Sequence, residues 1–449
     1  MNRLRSLNKD IQLQLARIPV ETSNLCIGMY VAKLDRPWLE TPFVFQGFVI
    51  KDKVEIELLQ THCSVVFVDV DKGKLTEAEI RALAARSRGG VVRHVPPNRQ
   101  SARGPGIFGR LAIRMGLGAL FSRRKNHENG IYEVSATVRR EAPKARAAWE
   151  KAVRAYRHIF DRTRRTGTVD VDQVRKLLAP MVESILRNPD AMAWTVFSGK
   201  RSGRKYCRAV ATSVWSVMFG RHLGLDRQTL DELALGGLLL DIGNTSLAEG
   251  ILHAEGAITH DEYAQVPLHV QAGIDILSRS AGVSTIAQEM VAHHHERFDG
   301  SGYPNGGEGS AIPMYGRIAG IVDCYDAMTT KNNYSPALAA YDAARELNEL
   351  RNETFHGEVV EQFLQTIGMF PTGSVVGLSN GSVALVLEQN RDNPLQPKVL
   401  VLLASDGSRL DKPEIVNPGA WHDKSGANLW IARGHEHGAF GIDPADYFA

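Results

Sequence analysis

VAHHHERFDGSGYPNG, Val291 to Gly306, sets three consecutive histidines and a glutamate at the end of an apolar helical run, just before a glycine-rich turn. Met290 and His294 are one helical turn apart, so His294 is predicted on the buried face, with His295 beside it and His293 turned away. Neutral imidazoles at such a helix end are natural metal ligands. For an isolated HHH triplet, the alternative is a run of surface histidines.

Acidic and histidine residues elsewhere in the chain favour the metal site. Asp241 follows an apolar helix, His269 follows a capped segment, and Asp323 lies downstream in RIAGIVDCYDAMTT. Imidazole and carboxylate groups together suit iron, manganese, nickel and zinc. The sequence therefore predicts one bound transition metal ion and leaves its identity open.

The global composition indicates an ordinary globular protein. The chain has 449 residues, 43% of them hydrophobic and 23% charged, with a formal net charge of +3, which suits two or three domains. This charge does not indicate specific nucleic-acid binding. The four cysteines lie far apart without a CxxC pair, which favours a reducing compartment over a disulfide framework or a zinc ribbon.

Localisation is predicted from two features. The N-terminal segment has no apolar core of the kind a secretion signal needs, and no later run reaches the ~20 apolar residues of a membrane span. We therefore expect a cytoplasmic protein, with peripheral contact to the inner membrane left open.

Residues 1–85 are predicted to form a small mixed α/β module. The segments CIGMYVAKL, FVFQGFVI and VVFVDVD read as strands, and 76–85 reads as a short helix. The aromatic centre PWLETPFVFQGF is expected to be core, with a ligand surface as the alternative.

Residues 86–130 are predicted to be a basic linker containing glycine and proline. The stretch 86–125 carries ten Lys or Arg and no acid. Within it, 107–125 could form an amphipathic basic helix on an anionic membrane or on a partner. Its glycines each weaken a helix by ~1 kcal/mol relative to alanine, so a solvated tether is the alternative.

The remaining chain is predicted to be helical and then β-rich. Residues 131–370 show helical periodicity, with the main helical core at 206–370, whereas 371–449 return to strand patterns with a hairpin turn at Asn380-Gly381. The expected fold class is α+β: a mainly helical domain with a small N-terminal module and a small C-terminal β appendage.

The segment from about 206 to 370 resembles the HD-GYP family, bacterial phosphodiesterases that open cyclic di-GMP. HHERFDGSGYPNG is similar to the signature run of the family, and DCYDAMTT is similar to its last acidic motif. The stretch GMYVAKLDRPWLETPFVFQGF resembles the N-terminal domain that often precedes such domains. The resemblance covers over half of the chain and implies an HD-type helical fold with a metal-dependent active site.

The resemblance also assigns residues to metals. It implies one metal site built from Asp241, His269, His294 and His295, all of which are present. A second site would share Asp241 and add positions 208, 240 and 323, where this chain has Arg208, Leu240 and Asp323. A guanidinium and an aliphatic side chain bind no metal, so only Asp323 could serve there.

Phosphate contacts depart from the family pattern as well. Asn244 replaces a lysine in LDIGN, and Asn332 and Ser335 stand where the family usually has an arginine and a lysine, with Lys331 as the nearest substitute. Losing phosphate cations worth ~1.5–3 kcal/mol each predicts weak or absent cyclic di-GMP binding. The signature loop is retained, and its candidate partner or ligand contacts are Arg297, Asp299, Gly302, Tyr303 and Pro304.

Two functions follow from this pattern. The first is a non-catalytic regulatory or docking protein in cyclic di-GMP signalling, whose glycine-tyrosine-proline loop contacts signalling proteins. The second is a phosphodiesterase with an atypical, mononuclear site in which Asp241 would be catalytic. The sequence does not determine the partner, the signal sensed by the first module or the oligomeric state.

Overall fold

The computed structural model describes residues 17–34, 48–50, 53–70, 75–76, 79–80, 83, 132–199, 205–247, 265–330, 337–390, 396–417, 429–436 and 438–447. The chain divides into two compact units, Met1–Arg103 and Gly104–Ala449, which are described separately.

The first unit contains a four-stranded antiparallel sheet in the order β1-β4-β2-β3. Its strands are β1 (Arg17–Glu21), β2 (Tyr30–Leu34), β3 (Phe48–Val49) and β4 (Val65–Asp69), and helix α1 spans Lys53–His62. Alternate residues of β1 and β4 are buried, as expected for strands with one face on a core. The strand predictions for β2 and β4 are confirmed, whereas β1 and α1 were not predicted.

The described part of the second unit begins with three helices, α2 (Val138–Thr166), α3 (Val171–Arg187) and α4 (Pro189–Gly199). The side chain of Thr137 caps α2 by accepting from the Arg140 amide, and the helix ends at Gly167 with φ of 67°. This left-handed conformation suits glycine, which has no Cβ to clash. Arg187 of α3 bonds the buried Glu141 of α2 through both carboxylate oxygens, at 2.7 and 3.0 Å.

The centre of the unit is built on α5 (Lys205–His222) and α6 (Arg227–Leu239). The two helices approach closely because small residues meet between them. The hydroxyl of Thr212 donates to the Gly237 carbonyl and that of Ser213 to the Ala234 carbonyl, both at 2.7 Å. The other helices are α7 (Leu268–Ser278), α8 (Thr285–His293), α9 (Met314–Thr329), α10 (Ala340–Glu349) and α11 (Gly357–Ile367).

An antiparallel five-stranded sheet follows, in the order β8-β7-β6-β5-β9. Its strands are β5 (Val375–Leu378), β6 (Val383–Glu388), β7 (Lys398–Leu403), β8 (Arg409–Val416) and β9 (Ile431–His435). The turn between β5 and β6 contains Asn380 and Gly381, as predicted, with Gly381 at a φ of 87°. The sheet packs on α4, because Trp194 shares an apolar cluster with strand residues such as Leu385.

The α+β class predicted from the sequence is confirmed. The predicted domain boundaries stay predictions. The whole basic linker, 86–130, lies outside the described residues, and with it the candidate membrane segment 107–125. None of the helices that the structure describes is long and apolar enough to cross a membrane.

Candidate metal centre

Four candidate ligands come together from three parts of the helical unit. Asp241 follows α6, His269 lies in the first turn of α7, and His294 and His295 follow directly after α8. One potential ligand atom from each residue lies within 4.8 Å of all the others. The structure thus gathers the four residues that the resemblance assigns to one metal.

The two buried imidazoles are oriented by the backbone. Nδ1 of His269 lies 2.6 Å from the Val266 carbonyl, and Nδ1 of His294 lies 2.9 Å from the Val291 carbonyl. A carbonyl oxygen only accepts, so each Nδ1 carries the proton and each neutral ring keeps a lone pair on Nε2. Both lone pairs are therefore available to a metal.

The distances between the ligand atoms fit a single ion. The Nε2 atoms of His269 and His294 are 3.3 Å apart. Oδ1 of Asp241 lies 3.4 Å from Nε2 of His269 and 4.0 Å from Nε2 of His294. Ligands bonded at ~2.0–2.2 Å to one ion are separated by roughly 3–3.6 Å, a range that includes the first two distances, whereas the 4.0 Å distance from Asp241 to His294 is longer. Facing lone pairs repel each other unless a cation lies between them. The residues present fit one transition metal ion, whose identity they leave open.

Burial keeps the imidazoles of His294 and His295 neutral. Burial is the main reason that the pKa of His294 is lowered, and the nearby carboxylates of Asp323 and Asp241 oppose the shift. Burial also lowers the pKa of His295 to about 2, helped by the neighbouring His294. A neutral imidazole is the form that binds a metal, so no proton has to leave these rings at neutral pH.

A guanidinium lies beside the cluster. Nη2 of Arg208, on α5, is 2.6 Å from Oδ1 of Asp323, on α9, and the Asp323 side chain is only 7% exposed. Burial would raise the pKa of Asp323, but the pKa lies below its usual range, and the charge of Arg208 is the largest of the effects that lower it. The carboxylate that the resemblance assigns to a second metal is therefore bound by an internal cation.

The other positions of the degenerate motif offer no further ligand. Leu240 is 2% exposed and lies within the apolar core at the end of α6. Asn244 lies in the 3₁₀ segment Ile242–Ser246, where its backbone amide donates to the Asp241 carbonyl at 3.0 Å. Because Leu240 is apolar, the position next to Asp241 offers no atom that could bind a metal.

Gly243 lets the ligand-bearing segments meet. A Cβ on Gly243 would lie 1.8 Å from the His269 carbonyl oxygen and 2.5 Å from the Gly273 amide nitrogen. The segment that carries Asp241 can therefore rest on the backbone of α7 only with glycine at this position. Gly243 was not singled out by sequence reasoning, although it stands two residues after Asp241.

The signature loop is held by Glu296, a second residue that sequence reasoning missed. Its carboxylate accepts from the amides of Asn305 and Gly307, both at 2.8 Å, and the residue is 4% exposed. A Cβ on Gly302 would lie 2.4 Å from the His295 carbonyl oxygen, so the loop returns tightly onto the helix end. The available signal in the sequence was the position of this glutamate, directly after the three histidines in HHERFDG.

Tyr303 ties the loop to the metal cluster. Its ring stacks on His295 with 4.6 Å between centroids, and its amide donates to the His295 carbonyl at 3.1 Å. The peptide bond from Tyr303 to Pro304 is cis, and Pro304 is exposed. This arrangement orients His295 and presents the tip of the loop to solvent.

Arg297 and Asp299 have local partners. Nη1 of Arg297 donates to the carbonyls of His294 and Glu296, and its guanidinium lies 5.1 Å from the centre of the Phe355 ring. Asp299 accepts from the amide and hydroxyl of Ser301 at 3.0 and 2.6 Å. Both residues therefore shape the loop. Lys331, Asn332 and Ser335 lie outside the described residues.

Three family models match the chain. An HD domain matches residues 180–359, a domain of unknown function matches 17–174, and a KOW domain associated with HD domains matches 375–417.

Three curated relatives of the chain are all named phosphodiesterases. The chain is 28% identical to a cyclic di-GMP phosphodiesterase of Pseudomonas aeruginosa over 87% of this chain and 86% of that protein. It is 35% identical to a 3'3'-cGAMP-specific phosphodiesterase of Vibrio cholerae over 32% of this chain and 27% of that protein. It is 34% identical to a cyclic di-GMP phosphodiesterase of Thermotoga maritima over 33% of this chain and 41% of that protein. The chain thus spans most of the first relative and less than half of the other two.

Proposed function

The chain carries an HD domain of the HD-GYP family, and on that basis we propose that it is a non-catalytic regulatory protein of cyclic di-GMP signalling. In this role the metal centre and its loop form a fixed docking surface. The observation that carries the proposal is the Arg208–Asp323 ion pair, which occupies the second-metal ligand.

The chemical reason lies in what a guanidinium lacks. A divalent ion bound at the four-residue site would supply Lewis acidity toward water or a phosphate oxygen. The resemblance implies that hydrolysis needs two or three such ions close together. Arg208 contributes one positive charge, but it has no open coordination position and no bound water to deprotonate. Leu240 adds no ligand, so a second ion would have to bind through one shared carboxylate.

The loop supports the docking role. Glu296 fixes the amides of Asn305 and Gly307, and Tyr303 stacks on His295, so the exposed tip is rigid before any partner arrives. A preorganised surface loses little conformational freedom on binding. We propose signalling proteins as its partners.

A second candidate is a phosphodiesterase with a mononuclear site. It is favoured by the intact set of four ligands and by the 33% exposure of the Asp241 side chain, which leaves the pocket reachable from solvent. In that case Asp241 would hold the ion and a substrate oxygen would complete its coordination.

A hydrolysis assay separates the two candidates. Purified chain with measured metal content is incubated with cyclic di-GMP in the presence of iron, manganese, nickel or zinc, and Asp241→Ala serves as the blank. We expect no linear dinucleotide or GMP above the blank. Robust turnover by the unmodified chain that is lost in Asp241→Ala would falsify the docking proposal.

A gain-of-function variant tests whether the missing ligands of the second metal explain the expected lack of hydrolysis. Arg208→His, Leu240→His and Asn244→Lys together restore two ligands and one phosphate cation, and we expect a second bound metal and measurable hydrolysis. Any one of these substitutions alone should give neither, because the second ion stays under-coordinated.

A further inference from the structure

The longest described helix carries a one-sided array of positive charge. Helix α2 has ten Lys or Arg and three acids in its 29 residues, which span about 43 Å. Its buried residues, among them Ala145, Trp149, Ala152 and Tyr156, recur every three or four positions and fix the face that meets the bundle. The cations fall on the opposite face, and nine of the ten are classed as exposed.

Few negative charges offset this face. Of the three acids of α2, Glu141 is buried against Arg187, which leaves Glu150 and Asp161 exposed. Glu150 lies 3.4 Å from Arg146 and 3.6 Å from Arg154, and the side chains of both arginines are about two-thirds exposed, at 66% and 69%. Such exposed pairs are weak, and their carboxylate is readily exchanged for another anion. Asp170, just beyond the helix, pairs with Arg162 at 3.3 Å. A surplus of about six positive charges therefore faces solvent along the helix.

The face carries charge without features that read nucleic-acid bases. Apart from its cations, the exposed positions of α2 hold Thr166, Ala147, Pro143, the two acids and His158. The exposed part of this helix therefore has no side-chain amide to read a base edge, and its only ring that could stack on a base is that of His158. A second copy of the same face would be repelled by its like charge. A straight line of flexible cations matches instead a planar anionic surface.

We infer that the exposed face of α2 is a docking surface for an anionic lipid bilayer. Each Lys or Arg held near an anionic leaflet contributes roughly a fivefold gain in partitioning, and the effect falls off within a Debye length. Nine exposed cations on one face suffice for salt-dependent, reversible attachment. The inference goes beyond the proposed function, because it concerns where the protein acts and holds whether or not the metal centre is catalytic.

The surface lies close to the metal centre. Helix α2 packs on the 3₁₀ segment that follows Asp241, and its Tyr156 points inward, where burial and the charge of Asp241 both raise the pKa of the phenol. The bilayer-facing side and the side facing the metal centre are therefore separated by one helix diameter, about 10 Å. Attachment through α2 would hold the metal centre at a fixed height above the lipid headgroups.

The test uses the full chain and vesicles of two compositions, phosphatidylcholine alone and phosphatidylcholine with one quarter phosphatidylglycerol, at about 0.05 M and about 0.5 M salt. The helix variant carries Lys144→Gln, Lys151→Gln, Arg157→Gln and Arg165→Gln, since glutamine keeps helix propensity. The control variant removes the same charge from exposed positions elsewhere: Lys176→Gln, Arg409→Gln, Lys412→Gln and Arg433→Gln. A third variant neutralises Arg110, Arg114, Arg123 and Arg124 and measures the contribution of the basic linker.

We expect the parent chain to bind the anionic vesicles at low salt and to be released at high salt. The helix variant should lose at least about tenfold in partitioning, whereas the control variant changes less than about twofold. Equal binding of helix and control variants, or equal binding to both lipid compositions, would overturn the inference. Tighter binding to duplex DNA than to anionic vesicles, lost in the same helix variant, would reassign the face to nucleic acid. Circular dichroism and metal content must stay unchanged in all variants.

Discussion

At the scale of single residues, the three consecutive histidines differ only in the direction in which the backbone points their side chains. Nδ1 of His293 lies 3.0 Å from the Glu289 carbonyl, and His293 is not part of the ligand group. His294 is fully buried and His295 is stacked on Tyr303, and both present a nitrogen to the cluster. Helical geometry therefore selects which of the three histidines can bind a metal.

This selection gives a first prediction. The purified chain should hold about one transition metal ion, and replacing His294 and His295 by alanine should abolish loading, because only two of the four ligands remain. Elemental analysis of protein purified without chelators measures the ratio. His293→Ala is the matched control and should load like the parent. Two stoichiometric metals in the parent, or normal loading without His294 and His295, would overturn the ligand assignment.

At the scale of elements, the close approach of the Asp241 segment to α7 decides whether the cluster forms. We expect Gly243→Ala to reduce metal affinity at least about tenfold and to lower the free energy of unfolding by about 1–3 kcal/mol, because the added Cβ meets backbone. Metal titration and urea unfolding measure the two effects.

Gly307→Ala is the control for that substitution, since its Cβ would make ordinary contacts at 3.6 Å or more. It should change metal affinity less than about twofold. A Gly243→Ala protein with normal metal affinity would mean that the segment tolerates displacement and that the cluster does not depend on this contact.

The stability that the ion pair between α2 and α3 gives to the fold should depend on pH. Burial would raise the pKa of Glu141, but its two bonds from Arg187 outweigh burial and lower that pKa. A lowered folded-state pKa stabilises the fold above the ordinary glutamate pKa of about 4.3, and the contribution is lost as the pH falls through the folded value. Glu141→Gln should therefore cost about 1.5–3 kcal/mol at pH near 7.

The difference between parent and Glu141→Gln should begin to shrink below pH of about 4.3, where the carboxylate of the unfolded chain protonates, and should be lost as the pH falls through the lowered folded-state pKa. Denaturant unfolding across this range measures it. Glu150→Gln removes an exposed carboxylate of the same helix and should cost less than about 1 kcal/mol at every pH. A gap between parent and Glu141→Gln that stays constant into acid would contradict the ion-pair explanation.

At the scale of the whole molecule, the C-terminal sheet is joined to the helical bundle through its core. Trp194 of α4 is 3% exposed and packs with Val375, Leu385 and Ile442. Because one apolar cluster serves both layers, we expect Trp194→Ala to cost about 3–5 kcal/mol and to lower the unfolding temperature of helices and sheet together. Differential scanning calorimetry measures whether the two layers share one transition.

The control for this substitution is Ile415→Ala, which truncates a side chain on β8 that is 53% exposed and should cost less than about 0.5 kcal/mol. If the sheet melts in a separate transition while the helices keep their parent stability, the shared core does not couple the two layers.

The sequence by itself determined the fold class, the turn between β5 and β6, and the set of candidate ligands. Local spacing accounts for two features, since helical periodicity put His294 on the buried face and Asn-Gly favours a tight hairpin turn. The full set of four ligands followed from the resemblance to the HD-GYP family. A departure from the family motif, such as Leu240 where the motif has a metal ligand, is also visible in the sequence, because the neighbouring motif residues fix the position.

Only the tertiary structure decided which distant residues meet. Arg208 and Asp323 are 115 positions apart in sequence, and only the packing of α5 on α9 brings the guanidinium to the carboxylate. Gly243 and Glu296 act through backbone atoms of other segments, and no periodicity predicts such contacts. A hydrophobic pattern reports which face of an element is buried. It does not report which element covers that face, because that choice depends on the packing of the whole unit.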